Sequence, residues 1–205
     1  VNLRLRIALL LVVVMALVLW KSQLFLVARP GDRAMPLRLI AAAARTPARL
    51  DVLLPLVPFG ELRLAPGSTP LVVEYWAPWV RHAALQATGL DSLLRLYGTR
   101  GSAAPRAVLA CFDPFPSVSR YVARMRLSVP VVLDHGRELA GALPCPSLPY
   151  TYVIDPSGRI AVAQPGEVDW LAHATRAVLD SIAAEVSAPT DSGATAPLPV
   201  RAAGS

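Results

Sequence analysis

Sulfur is scarce in this chain. Its two cysteines, Cys111 and Cys145, stand far apart, so the sequence holds no Cys-x-x-Cys pair. Together with His82, His135 and His173 they make no recognised metal-ligand spacing, and neither a metal nor another cofactor is expected. Lysine occurs once, as Lys21, among twenty basic residues. With so much Ala, Pro and Leu, that bias reports a GC-rich genome rather than a use for arginine. Aromatic residues make up 6% and do not interleave with a basic stripe, which argues against nucleic-acid binding. No nucleophile elbow is present, and "DPSG" (155–158) is a turn rather than a phosphate loop. Charged residues are 17% against 54% apolar, so a packed core is within reach and global disorder is not expected.

What is there begins with an apolar run. Ile7 to Trp20 carries no charge; Lys21, Ser22 and Gln23 interrupt it, and Leu24 to Ala28 resumes it. As one helix, residues 7–28 would reach roughly 33 Å, about one hydrocarbon core. We read them as a transmembrane anchor in which Lys21 snorkels. The basic start "VNLRLR" (1–6) is then cytoplasmic by the positive-inside rule, although "ARPGDR" adds positive charge on the far side. A cleaved signal peptide and a buried soluble helix are the rival readings; no small-x-small site follows the run directly. Residues 1–33 hold five basic side chains and one acid, hence +4 of the net +6, and the remainder is near neutral.

Residues 29–49 read as a linker in which "MPLRLIAAAART" forms a short helix stopped by Pro47. Two extended pieces follow, around turns at Pro58-Phe59-Gly60 and Pro66-Gly67. "PLVVEYW" (70–76) is β-branched and aromatic, hence a buried strand. The spacing predicts a helix over 80–98, a strand over 105–112, a helix over 117–125 capped by Ser117, a strand over 129–134 and a helical turn over 137–143. "PYTYVIDPSGRIAVAQPG" (149–166) reads as a hairpin and 168–186 as an amphipathic helix. Residues 187–205, small, polar and Pro-rich, read as a disordered tail. The sum over 50–186 is an α/β domain with a mixed sheet flanked by helices.

Three motifs give this order a family likeness. "EYWAPWVRHAAL" (74–85) resembles the acidic-aromatic-aromatic-Ala-Pro-Trp run that leads into Cys-x-x-Cys in thioredoxins and protein disulfide isomerases. "LPYTYVID" (148–155) resembles their cis-proline strand, and "DPSGRI" (155–160) the hairpin turn after it. The long gap between Val80 and Pro149, ending in "VPVVLDHGRELAGAL", is similar to the membrane-anchored, periplasmic TlpA-like and redoxin branch. The resemblance implies a thioredoxin-like fold and a cis Leu148–Pro149 bond.

It also implies a lost reaction. The family's nucleophilic cysteine falls on Val80 and its resolving cysteine on Ala83, with Arg81 and His82 between them. The chemistry requires a thiolate, which valine and alanine cannot supply. Glu74 matches the family's buried proton-handling carboxylate. His82 matches a thiolate-stabilising histidine and otherwise reads as a surface residue. Trp79 and Tyr75 are expected to flank the site edge, and Trp76 to be core. Cys111 and Cys145 remain as catalytic candidates, either paired or free and buried. The leading expectation is a single-pass protein of the bacterial inner membrane, facing the periplasm, that binds or scaffolds an extended peptide or an envelope protein without dithiol catalysis. A thiol-disulfide oxidoreductase using Cys111 or Cys145, and a purely structural envelope subunit, are the alternatives.

Overall fold

The computed structural model describes residues 34–100 and 104–185. The expected cytoplasmic start, the anchor over 7–28 and the tail over 187–205 lie outside them. Among the described residues no helix is long and apolar enough to cross a membrane.

Seven strands make one mixed sheet: β1 (Val52–Val57), β2 (Glu61–Leu64), β3 (Leu71–Tyr75), β4 (Arg106–Cys111), β5 (Val131–Leu133), β6 (Tyr150–Ile154) and β7 (Ile160–Pro165). Their order across the sheet is β2-β1-β5-β4-β3-β6-β7. β3, β4 and β5 are parallel neighbours, and the outer strands pair antiparallel. The helices are α1 (Ala83–Arg100), α2 (Phe115–Met125), α3 (Glu138–Ala142) and α4 (His173–Ala184). This is the expected α/β class.

β3 is buried along its whole length because both faces of the central sheet are covered. Alternation sends Val72, Glu74 and Trp76 to one face and Leu71, Val73 and Tyr75 to the other. On the first face Val72 and Trp76 pack with Ala83, Ala87 and Leu90 of α1 and with Leu179 and Ile182 of α4. On the second, Val73 and Tyr75 pack with Leu139, Leu143 and Leu54. Burying one such apolar side chain stabilises the fold by about 1.5–3 kcal/mol.

Four expectations from the sequence are revised, two by tertiary pairing and two by local capping. Residues 36–49, expected as a linker, belong to the domain. Leu37, Arg45, Ala48 and Leu50 are buried. Ile40 donates its amide to Ala161 O at 2.8 Å, Thr46 O accepts from Ile160, and Gly158 O accepts from Ala48. The expected helix there shrinks to one 3-10 turn, Ala42–Ala44, because pairing against β7 holds the chain extended. α2 starts at Phe115, after Pro114, with proline in its first turn; Ser117 lies inside the helix and its hydroxyl donates back to Pro114 O at 2.8 Å. The last helix begins at His173 rather than 168, because the Asp169 carboxylate accepts from the Leu171 and Ala172 amides and turns the chain before it.

Candidate functional site

The C-terminal end of β3 releases the chain into the turn Trp76–His82. β3 and β6 pair with Tyr75 opposite Tyr150, so the loop carrying Pro149 lies at the same end of the sheet. The Leu148–Pro149 bond is cis, as the resemblance implied, and a second cis bond joins Val57 to Pro58. Pro149 is buried, and its carbonyl accepts from Gly166 N at 3.0 Å.

The turn is held at several points. Trp76 is fully buried, packs its ring edge-on to Tyr121, and donates its indole N–H to Ala83 O at 3.0 Å. Val80 N donates to Ala77 O at 3.1 Å, and Val80 O accepts from Ala83 N at 3.0 Å. Val80 is half-buried against the core, Ala83 is buried, and Arg81 and His82 are exposed. His82 has φ 58°, a left-handed conformation uncommon outside glycine. It delays the helix. α1 starts at Ala83, with His82 O accepting its first helical bond from Gln86, and not at Val80 as the sequence predicted. His82 Nδ1 donates to Glu167 Oε1 at 2.9 Å. The same loop binds α1 twice through Gln86, whose Nε2 donates to Val168 O at 3.1 Å and whose Oε1 accepts from Val168 N at 3.0 Å.

Trp79 is 70% exposed. Its indole N–H is spent on the Asp113 carboxylate, at 2.9 and 3.2 Å, so the ring presents an apolar face held in place. His135 Nε2 donates to Asp113 O at 2.9 Å, which ties a third loop into this corner. Tyr75 does not share the edge. It is fully buried on the opposite face of the sheet, where its hydroxyl donates to Leu143 O at 2.7 Å.

Glu74 is fully buried beneath the turn, and neither of its oxygens has a hydrogen-bond partner. Burial pushes its carboxyl up to about 8. The Trp170 indole N–H opposes that rise slightly but falls short of hydrogen-bond geometry.

The cysteines do not converge. Cys111 packs in the cluster beneath α1 and Cys145 against the cluster on the other face, so the sheet separates them and both are free. This closes the pairing left open by the sequence. Cys111 is fully buried, and desolvation pushes its thiol up to about 12 despite the Asp113 amide that donates to it. Cys145 is half-buried, desolvation raises it too, and its thiol donates to Ser147 O at 3.2 Å. Among the described residues no group of His, Cys, Asp and Glu could hold a metal ion.

Sequence reasoning missed Asp113, Glu167 and Gln86, which hold the turn, and Thr151 and Trp170, which lie against Glu74. Thr151 was legible only through the register that sets it opposite Glu74.

No family model matches the sequence, and no curated protein matches it. Solved structures do. A DsbF homologue from Corynebacterium diphtheriae superposes with TM-score 0.58 at 18% identity, over 75% of this chain and 96% of that one. A secreted thiol-disulfide isomerase from Corynebacterium glutamicum gives TM-score 0.58 at 17% identity, over 78% and 96%. Peroxiredoxin Q from Xanthomonas campestris gives TM-score 0.52 at 20% identity, over 73% and 97%. At these identities the likeness is one of architecture, and the architecture of this chain is the thioredoxin-like fold.

Proposed function

We propose that this protein is a thioredoxin-like binding module that has lost dithiol catalysis, anchored in the bacterial inner membrane by residues 7–28 with its domain in the periplasm. The observation that carries the reading is the exposed, fixed indole of Trp79 at the same sheet end as the cis-Pro149 loop, on a turn that holds Val80 and Ala83 instead of thiols. An apolar ring with its N–H already used suits an apolar side chain of an extended peptide. The backbone of the loop before β6 supplies hydrogen bonds that need no sulfur. The ligand class is an unfolded or extended segment of an envelope protein. Cys111 cannot serve as a nucleophile while it is buried and neutral, and Cys145 lies across the sheet from it.

The test uses the full chain in detergent with reduced, unfolded insulin B chain as a model extended peptide. Binding should be weakened about tenfold by Trp79→Ala, roughly 1.4 kcal/mol. It should be unchanged by Cys111→Ser with Cys145→Ser. Equal binding by the parent and Trp79→Ala sinks the reading, and thiol-dependent insulin reduction by the parent would restore the oxidoreductase.

A further inference from the structure

The β1–β2 hairpin carries two large apolar side chains that the Trp79 corner does not use: Leu53, 58% exposed, and Phe59, 84% exposed at the tip. β2 is the outermost strand of the sheet, and among the described residues no strand pairs with its outer side. Such an edge offers unpaired amides and carbonyls to another chain.

The phase of the hairpin fixes which groups face outward. Leu56 donates its amide to Gly60 O at 2.9 Å, so these two form a hydrogen-bonded pair. In an antiparallel ladder, bonded and non-bonded pairs alternate. Leu54–Leu62 and Val52–Leu64 are therefore bonded, and Pro55–Glu61 and Leu53–Arg63 are not. Pro55, with no N–H to give, stands where β2 asks for none. The N–H and C=O of Glu61 and of Arg63 thus point away from β1, toward the open edge. The row stops beyond them, because Ala65 O already accepts from Arg106 Nη2 at 2.7 Å.

Charge then selects the register. Glu61 and Arg63 share one face of β2, with Leu62 between them on the other. Asp51 holds the Arg63 guanidinium in place, accepting from Nε at 2.6 Å and from Nη2 at 2.7 Å, which leaves Nη1 for a further acceptor. Among the described residues Glu61 has no cation of its own. Two-fold antiparallel pairing of β2 with another β2 could centre on any of these residues. Centred on Glu61 it sets acid against acid, and centred on Arg63 cation against cation; like charges directly opposed are destabilising. Centred on Leu62 it sets each Glu61 against Arg63 of the other copy, and symmetry repeats the match. The same axis joins the half-buried Leu62 side chains on the face where Leu62 already packs against the core, and lays Phe59 beside Ala65 of the other copy.

We propose that this chain forms a symmetric homodimer by antiparallel pairing of β2 with β2 of a second copy, centred on Leu62, in which Glu61 and Arg63 exchange backbone bonds and charge across the axis. The interface is independent of what the Trp79 corner binds.

The experiment is sedimentation of the full chain in detergent at rising protein concentration. The parent should move as two chains. Glu61→Arg alone sets arginine against Arg63, and Arg63→Glu alone sets glutamate against Glu61. Each should weaken association about tenfold, as two cross-strand pairs turn from attraction to repulsion. An equal mixture of the two variants should recover the parent's affinity, because every charge then faces its opposite. A hairpin merely damaged by substitution would not recover on mixing. A second arm places Leu62→Cys or Leu53→Cys in the Cys111→Ser, Cys145→Ser background under mild oxidation. Across the axis the Leu62 Cα atoms would lie about 4.5 Å apart, within disulfide reach, so that variant should close between copies. Leu53 is the more exposed, and random collision would close it first. In the proposed dimer its two copies stand about 14 Å apart, across three strand spacings, so it should stay open. A parent that remains a single chain up to about 100 µM overturns the dimer. A dimer that ignores the single charge changes, that is not recovered on mixing, or in which Leu53→Cys closes as readily as Leu62→Cys overturns the β2 register. The parent and the exposed charge variants give their answer whether or not the cysteine variants fold.

Discussion

Val80 and Ala83 fix the residue scale. The Val80 carbonyl accepts from the Ala83 amide at 3.0 Å, which closes one turn between them. Such a turn brings its end Cα atoms within about 7 Å, the range a disulfide tolerates. Val80→Cys with Ala83→Cys should therefore form an intramolecular disulfide, and the reduced pair should reduce insulin at least tenfold faster than the parent. Thiol counting before and after denaturation, with an insulin turbidity assay, checks both. If the pair stays open in the folded protein, the alignment of "VRHA" with Cys-x-x-Cys is wrong. The left-handed His82 makes this a sharp test, because it shifts the helix start from the first position to the second. That shift was not legible in the sequence. Histidine takes positive φ more readily than most residues, but residue type alone does not place that conformation here; the bond to Glu167, eighty-five positions away, accompanies it.

At the scale of elements, Arg45 couples three of them. Its side chain is 2% exposed and bonds Asp155 Oδ2 at 3.0 Å and the Glu185 carboxylate, joining the 36–48 segment to the β6–β7 turn and to the end of α4. Arg45→Met keeps the stem and removes the charge, leaving Asp155 buried without its counter-ion. The expected cost is about 3 kcal/mol, read from urea unfolding at pH 7. Burial alone would raise Asp155, but bonds from Ser157, the Arg159 amide and Arg45 together hold it below the usual carboxylate range. A lowered carboxyl contributes stability above its unfolded pKa and loses it as pH falls through the folded one. The variant should thus differ less from the parent at pH 3 than at pH 7. The strands of this domain were legible because their β-branched runs are short and bounded by Pro and Gly. The 36–48 segment was not, because "AAAA" favours helix locally and only pairing with β7 overrules it. Asp113 and Glu167 were equally hidden, as their roles exist only once the loops meet.

For the whole molecule, the proposed topology puts the domain on one side of a membrane, and the fold describes that domain from Pro36 onward. A reporter fused after Gly166 should be active in its periplasmic form and silent in its cytoplasmic form. Cytoplasmic activity there would reverse the orientation drawn from the basic residues before the apolar run. The class of fold was readable because motif order, strand pattern and turn signals agreed with one another. The proposed loss of dithiol chemistry rests on residue types alone, Val80 and Ala83 standing where the resemblance would put sulfur, and the paired cysteine variant is what tests it.

The segment 36–48 also decides how copies of this sheet can meet. An open sheet has two margins on which a further strand can be templated. Here the β7 margin is already occupied by the chain's own backbone, through the bonds of Ile40, Thr46 and Ala48. Among the described residues, β2 at the other margin is left uncovered by a strand. Margin-to-margin joining of two copies through β2 would consume both available surfaces and end at a pair. A fibre, which needs two sticky margins per copy, could grow only after the Arg45 clamp had opened and the segment had peeled away.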